Sequence, residues 1–119
     1  MLKTGIAENE IIEIAKNCAG ILNEKKAENV VLLDLRQINS YLDYFVIATG
    51  NSHIHCTALA KELQKYLKGI DFIGMGNPRL DTGWIALDYN EIVIHIFTKE
   101  LREYYQLDRL WGDAHFISF

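Results

Sequence analysis

The chain is expected to fold as one α/β domain, a mixed sheet of about five strands packed by helices. Three observations predict this. Its 119 residues make a single-domain length, and a chain of this size buries roughly two-thirds of its unfolded surface in one core. Half of the residues are hydrophobic and 24% are charged, an ordinary globular balance. Apolar residues recur at helical spacing in some segments and run continuously or alternate in others, in an order that interleaves helices and strands.

Ile11, Ile14/Ala15, Cys18 and Ile21/Leu22 recur every three to four residues. This spacing predicts an amphipathic helix over Ala7–Lys26, with Lys25 and Lys26 at the negative end of its dipole. Val30–Leu35 and Tyr44–Thr49 are short apolar runs and read as strands buried on both faces. Gly50-Asn51-Ser52 turns the chain, and Ser52 caps a second helix. Cys56, Leu59/Ala60, Leu63 and Tyr66/Leu67 form its stripe, and Gly69 is its expected stop. Asp71–Met75 reads as a weaker strand, and Gly76–Gly83, with Pro78, as a loop.

Trp84–Asp88 and Glu91–Phe97 are expected to form a hairpin through Tyr89-Asn90. Thr98 then caps a helix over Lys99–Tyr105, and Leu107–Trp111 adds one more turn. In that hairpin Asp88 opposes Glu91, Leu87 opposes Ile92 and Trp84 opposes His95. Side chains alternate along a strand, so Ile85, Leu87, Ile92, Ile94 and Ile96 share a core face. Trp84, Ala86, Val93, His95 and Phe97 share the other.

The formal net charge is −4, with five basic against seven acidic residues in 1–60 and seven against nine in 61–119. No basic arm exists for phosphate-dominated nucleic-acid binding. No apolar run is long enough to cross a bilayer. Met1-Leu2-Lys3-Thr4 lacks the features of a presequence. A cytoplasmic location with two buried thiols, Cys18 and Cys56, is therefore expected.

Catalytic readings find little support. Strand, Gly50-x-Ser52, helix resembles the start of a nucleotidyltransferase site, where a helix N-terminus receives phosphate. That chemistry also needs paired carboxylates on a neighbouring strand to hold divalent metal. The nearest candidate is Asp34-x-Arg36, and an arginine cannot ligate magnesium. His53, His55 and Cys56 lie close in sequence, but zinc needs three or four converging ligands, and His55 points away from the face shared by the other two. No cofactor and no metal are expected.

The C-terminal half concentrates Trp84, Tyr89, Phe97, Tyr104, Tyr105 and Trp111 among His95, Arg102 and Arg109. Trp, Tyr and Arg dominate binding hot spots. Phe97, Tyr104 and Trp111 are expected in the core, whereas pattern alone leaves Trp84 open between core and surface.

Four segments, in order, carry a resemblance that spans nearly the whole chain. They are Asp43–Ser52 (DYFVIATGNS) followed by His55, Gly83–Tyr89 (GWIALDY), Val93–Phe97 (VIHIF) and Arg102–Trp111 (REYYQLDRLW). With them the chain resembles the ribosomal silencing factor, or Iojap-like, family. The resemblance implies a single domain over 1–119, with a nucleotidyltransferase-like core without catalytic carboxylates. It also implies a binding protein and not an enzyme. Members dock on the large ribosomal subunit against its conserved protein number fourteen, block joining of the small subunit and lower translation when nutrients are short.

Little direct nucleic-acid contact is then expected, and a homodimer in isolation is a further possibility. Trp84 corresponds to the family's interface tryptophan. Asp88 and Tyr89 belong to the same implied patch, and His95, Arg102 and Tyr105 support it. Two departures stand out: Ile54 replaces a common Arg, and Asn90 replaces the usual hairpin glycine. A nucleotide-handling enzyme of the same fold is the alternative.

Overall fold

The computed structural model describes residues 8–119; Met1–Thr4 and the expected helix start at Ala7 lie outside them. Helix α1 spans Glu8–Glu24. It ends in paired bonds from Ala27 N–H to Leu22 O and from Lys26 N–H to Asn23 O, with Lys26 left-handed at φ 74°. This is a Schellman stop, and it places Lys25 and Lys26 just past the helix instead of in its last turn.

Strands β1 (Glu28–Asp34) and β2 (Tyr44–Gly50) follow. Ser52 caps helix α2 (His53–Gly69) by accepting from His55 N–H. The stop of α2 differs from expectation. Asp71, at φ 57°, takes the left-handed position, while Phe72 N–H reaches Leu67 O and Asp71 N–H reaches Lys68 O. Gly69 is therefore the last helical residue, because the closing bonds form two residues later.

The expected strand at Asp71–Met75 reduces to one bridge, Met75 to Asp88. Strands β3 (Trp84–Asp88) and β4 (Ile92–Thr98) form the hairpin. Thr98 caps α3 (Lys99–Tyr105), and α4 covers Leu107–Leu110. A two-residue strand β5, His115–Phe116, completes the sheet.

The sheet order is β3-β4-β2-β1-β5. Only the central β2–β4 pair is parallel; the other pairs are antiparallel. The five strands thus include β5 in place of the expected Asp71–Met75. Every residue of β2 is buried, as a central strand covered on both faces requires. On one face, Ile85, Leu87, Ile92, Ile94 and Ile96 pack under α1 and α2. On the other, Leu33, Leu35, Phe45, Ile47 and Phe97 pack against Leu101, Leu107 and Trp111 from the C-terminal segment. Cys18 and Cys56 are both buried and unpaired, and burial pushes the Cys18 thiol up to about 12.

Candidate docking surface

The hairpin keeps the expected faces but not the expected register. Trp84 pairs with Phe97, Ala86 with His95 and Asp88 with Val93, a displacement of two residues. The turn is responsible. Tyr89 N–H bonds Ile92 O, and Glu91 N–H bonds Tyr89 O around Asn90, whose φ is 69°. Asn90-Glu91 therefore form the loop, and Asn tolerates that left-handed backbone where most residues do not. A two-residue shift preserves side-chain parity, so no residue changes face.

Trp84 is half-buried at the edge of the sheet. Its ring stacks on Phe97 at 5.1 Å and meets Tyr105 at 4.7 Å. Tyr105 is 48% exposed and Tyr104 76%, and the two rings meet edge-on at 5.0 Å. Tyr104 thus leaves the core position expected of it, because the short helix α3 buries none of its residues. Ala86 and Asp88 are exposed on the same sheet face as Trp84.

Beneath Trp84 lies His95, 7% exposed. Its Nδ1 accepts a 3.0 Å hydrogen bond from Trp84 Nε1–H. An indole can only donate, so Nδ1 is unprotonated and the neutral ring carries its proton on Nε2. Phe45 meets the ring edge-on at 4.6 Å. Burial in these apolar surroundings lowers the His95 pKa to about 4, against an opposing effect of Asp88.

Tyr89, expected in the patch, and Arg102, expected to support it, are both turned into the fold. Tyr89 has the parity of Ile85 and Leu87, so it turns to the helix-covered face, 7% exposed, and stacks on Phe72 at 5.7 Å. Burial raises its pKa. Arg102 is an internal clamp. Nε and Nη2 grip Asp108 at 3.1 and 2.6 Å, while Nη1 donates to Asn29 O at 2.6 Å and to Thr49 Oγ1 at 3.0 Å. These bonds tie α3 to α4 and to the β1–β2 pair, and they use four of the five guanidinium donors.

The residues weighed for chemistry are engaged in structural roles. Arg36 holds the Asp34 carboxylate through Nε and Nη2 at 2.9 and 2.7 Å, and that hydrogen bonding keeps the Asp34 pKa below its usual range. His55 accepts from Asn51 N–H at 2.9 Å, so its Nε2 donates to Lys25 O, also at 2.9 Å. The imidazole thereby clips the start of α2 to the end of α1. Among the described residues no three His, Cys, Asp or Glu side chains are grouped to hold a metal ion. Among them, too, no helix is long and apolar enough to cross a membrane.

The family model for "Ribosomal silencing factor during starvation" matches residues 8–119. The chain belongs to the ribosomal silencing factor family. It is 35% identical over 111 residues to the ribosomal silencing factor RsfS of Halalkalibacterium halodurans, covering 92% of each chain. A mouse protein named mitochondrial assembly of ribosomal large subunit protein 1 is 29% identical over 96 residues, 76% of this chain and 42% of that one. The fold is similar to a crystal structure of a Chromobacterium violaceum protein, with a TM-score of 0.81, 30% identity and 92% of each chain covered. The family is one of ribosome-associated regulators of translation and not of enzymes.

Proposed function

We propose that this silencing factor docks on the large ribosomal subunit through the Trp84 face, against the conserved inter-subunit protein number fourteen. There it blocks joining of the small subunit and represses translation under nutrient limitation. The observation that carries this reading is the cluster of Trp84, Tyr105 and Tyr104 at the sheet edge, with Trp84 held by His95. Large aromatic rings fixed by a rigid scaffold lose little entropy on binding and bury much area, which makes them anchors. Asp88 adds an exposed carboxylate on the same face. With a net charge of −4, the surface suits a basic protein better than phosphate.

Asp88 and Tyr105 belong to the contact itself. His95 serves it from below, while Arg102 and Tyr89 serve it only by holding the fold. Co-sedimentation with isolated large subunits tests the reading. Trp84→Ala is expected to keep the fold and weaken association about thirtyfold or more, the loss typical of an aromatic hot spot. A folded Trp84→Ala variant that co-sediments and blocks subunit pairing like the wild type overturns it.

A further inference from the structure

We infer that the partner joins the free edge of β3 as an extended segment, adding a short strand beside Trp84 and Ala86; this rests on the docking reading above. Gly83 O accepts from Thr98 N–H, and Tyr89 N–H donates to Ile92 O. In an antiparallel pair, hydrogen-bonded and non-bonded positions alternate. Residues 83, 85, 87 and 89 therefore bond β4, and the backbone groups of Trp84, Ala86 and Asp88 point away from the sheet. Two outward carbonyls are occupied: Trp84 O accepts from Thr82 Oγ1 at 2.7 Å, and Asp88 O accepts from Met75 N–H at 2.7 Å. Ala86 N–H and C=O have no partner among the described residues, and Ala86 is exposed.

The chain itself begins to cover this edge and stops. Met75 bridges Asp88, but Gly76 follows at φ 70°, and the backbone turns away instead of continuing beside Ala86 and Trp84. Proteins usually blunt an exposed edge with charge, proline or a covering segment. Here both ends are blunted and the middle, directly beside the aromatic anchor, is open. Strand addition uses such an edge: backbone bonds supply affinity, and alternate side chains supply specificity.

Charge and shape define the occupant. A residue paired with Ala86 takes both of its outward bonds. The side chain of that residue, and those two positions to either side of it on the added strand, then fall on the Trp84 face, because alternation is shared across a sheet. One of them lies against the Trp84 ring and is apolar. At the other end Met75 occupies the edge, so the segment must leave the sheet over the exposed carboxylate of Asp88. The segment therefore belongs to a basic protein and carries an apolar residue and a Lys or Arg about two to four positions apart.

The test removes the Ala86 N–H without removing a side chain from the patch. Ala86→Pro deletes a donor that faces away from β4, where proline is tolerated. A chain with lactic acid in place of Ala86 is an ester that replaces that N–H by oxygen, keeps the methyl side chain and only weakens the Ile85 carbonyl toward β4. It gives the same test without proline's constraint. In co-sedimentation with isolated large subunits both are expected to bind about tenfold or more weakly than wild type, with unchanged circular dichroism. If Ala86→Pro does not fold, the ester alone decides. Wild-type affinity of the folded ester overturns edge pairing; the docking reading survives that result if Trp84→Ala is weakened, and falls with it if Trp84→Ala is not. Equal binding of the wild type to protein-stripped ribosomal RNA also overturns the inference, since the partner would then be nucleic acid.

Discussion

The indole of Trp84 donates to Nδ1 of His95 across a 3.0 Å hydrogen bond, although the two are not cross-strand partners: Trp84 pairs with Phe97 and His95 with Ala86. The contact is diagonal, and it holds the indole of Trp84 in place at the sheet edge. An aromatic anchor that is already ordered before binding loses less side-chain freedom when its partner arrives. The bond also requires a neutral imidazole, since a protonated Nδ1 cannot accept.

Acid is therefore expected to destabilise the protein through His95. Its folded pKa of about 4 lies below the usual value for an unfolded chain, so the unfolded state binds more protons between these values. The His95 contribution is complete above roughly pH 6.5 and is lost as pH falls toward 4, by about 3 kcal/mol in all. Urea denaturation at pH 7 and pH 4.5 checks this against His95→Gln, which does not titrate. The wild type is expected to lose more stability than the variant over that interval. Equal losses would show that burial of this imidazole is not the cause.

Arg102 is expected to matter for stability and not directly for docking. Its guanidinium joins Asp108, Asn29 O and Thr49 Oγ1, with only 12% of its side chain exposed. Removing it leaves a carboxylate and a strand carbonyl without their donor. Arg102→Ala is expected to cost about 3 kcal/mol, and Arg102→Lys to recover only part of this, because an ammonium cannot reproduce the planar fork. Chemical denaturation gives the cost. Affinity for large subunits, measured where the variant is fully folded, should stay within about threefold of wild type. A larger loss at full folding would restore Arg102 to the contact surface.

Gly50 is expected to resist even alanine. A Cβ there would lie 2.6 Å from Cys56 Sγ and 3.1 Å from Cys56 N, where the last residue of β2 meets the first turn of α2. Backbone cannot yield as a long side chain can. Gly50→Ala should cost about 1–3 kcal/mol, visible as a lower urea midpoint with unchanged slope. An unshifted midpoint would mean that the strand-to-helix turn has slack that the packing does not reveal.

Much of this was legible in the sequence because it depends on local period. Ile85, Leu87, Ile92, Ile94 and Ile96 alternate, and the alternation assigns them one face whatever the register. Ser52 and Thr98 cap α2 and α3 where short polar residues precede helical patterns. Alternation also assigns Tyr89 to the Ile85 and Leu87 face, a signal overshadowed by its place beside Asp88 in the resembling segment. The register was less legible, since Tyr89-Asn90 and Asn90-Glu91 are both plausible loops, and the choice rests on which residue takes the left-handed backbone. Strand β5 has two residues and no readable period. Asp71–Met75 contains strand-forming residues, but antiparallel pairing from its Met75–Asp88 bridge carries Asp71–Gly74 past the end of β3.

By itself, the sequence determined the domain class, the element order, the isoleucine core face and the family. Each depends on short-range pattern or on residues that stand in order along the chain. Tertiary structure alone decided that Trp84 leans on His95 diagonally, that Tyr104 and Tyr105 extend its surface, that Arg102 is an internal clamp, and that the β3 edge stays open at Ala86. Those features join residues from different elements, through bonds and gaps that exist only once the sheet and its C-terminal cover are packed together. Burial then sets which aromatic rings remain to meet a partner, and no period along the chain encodes that division.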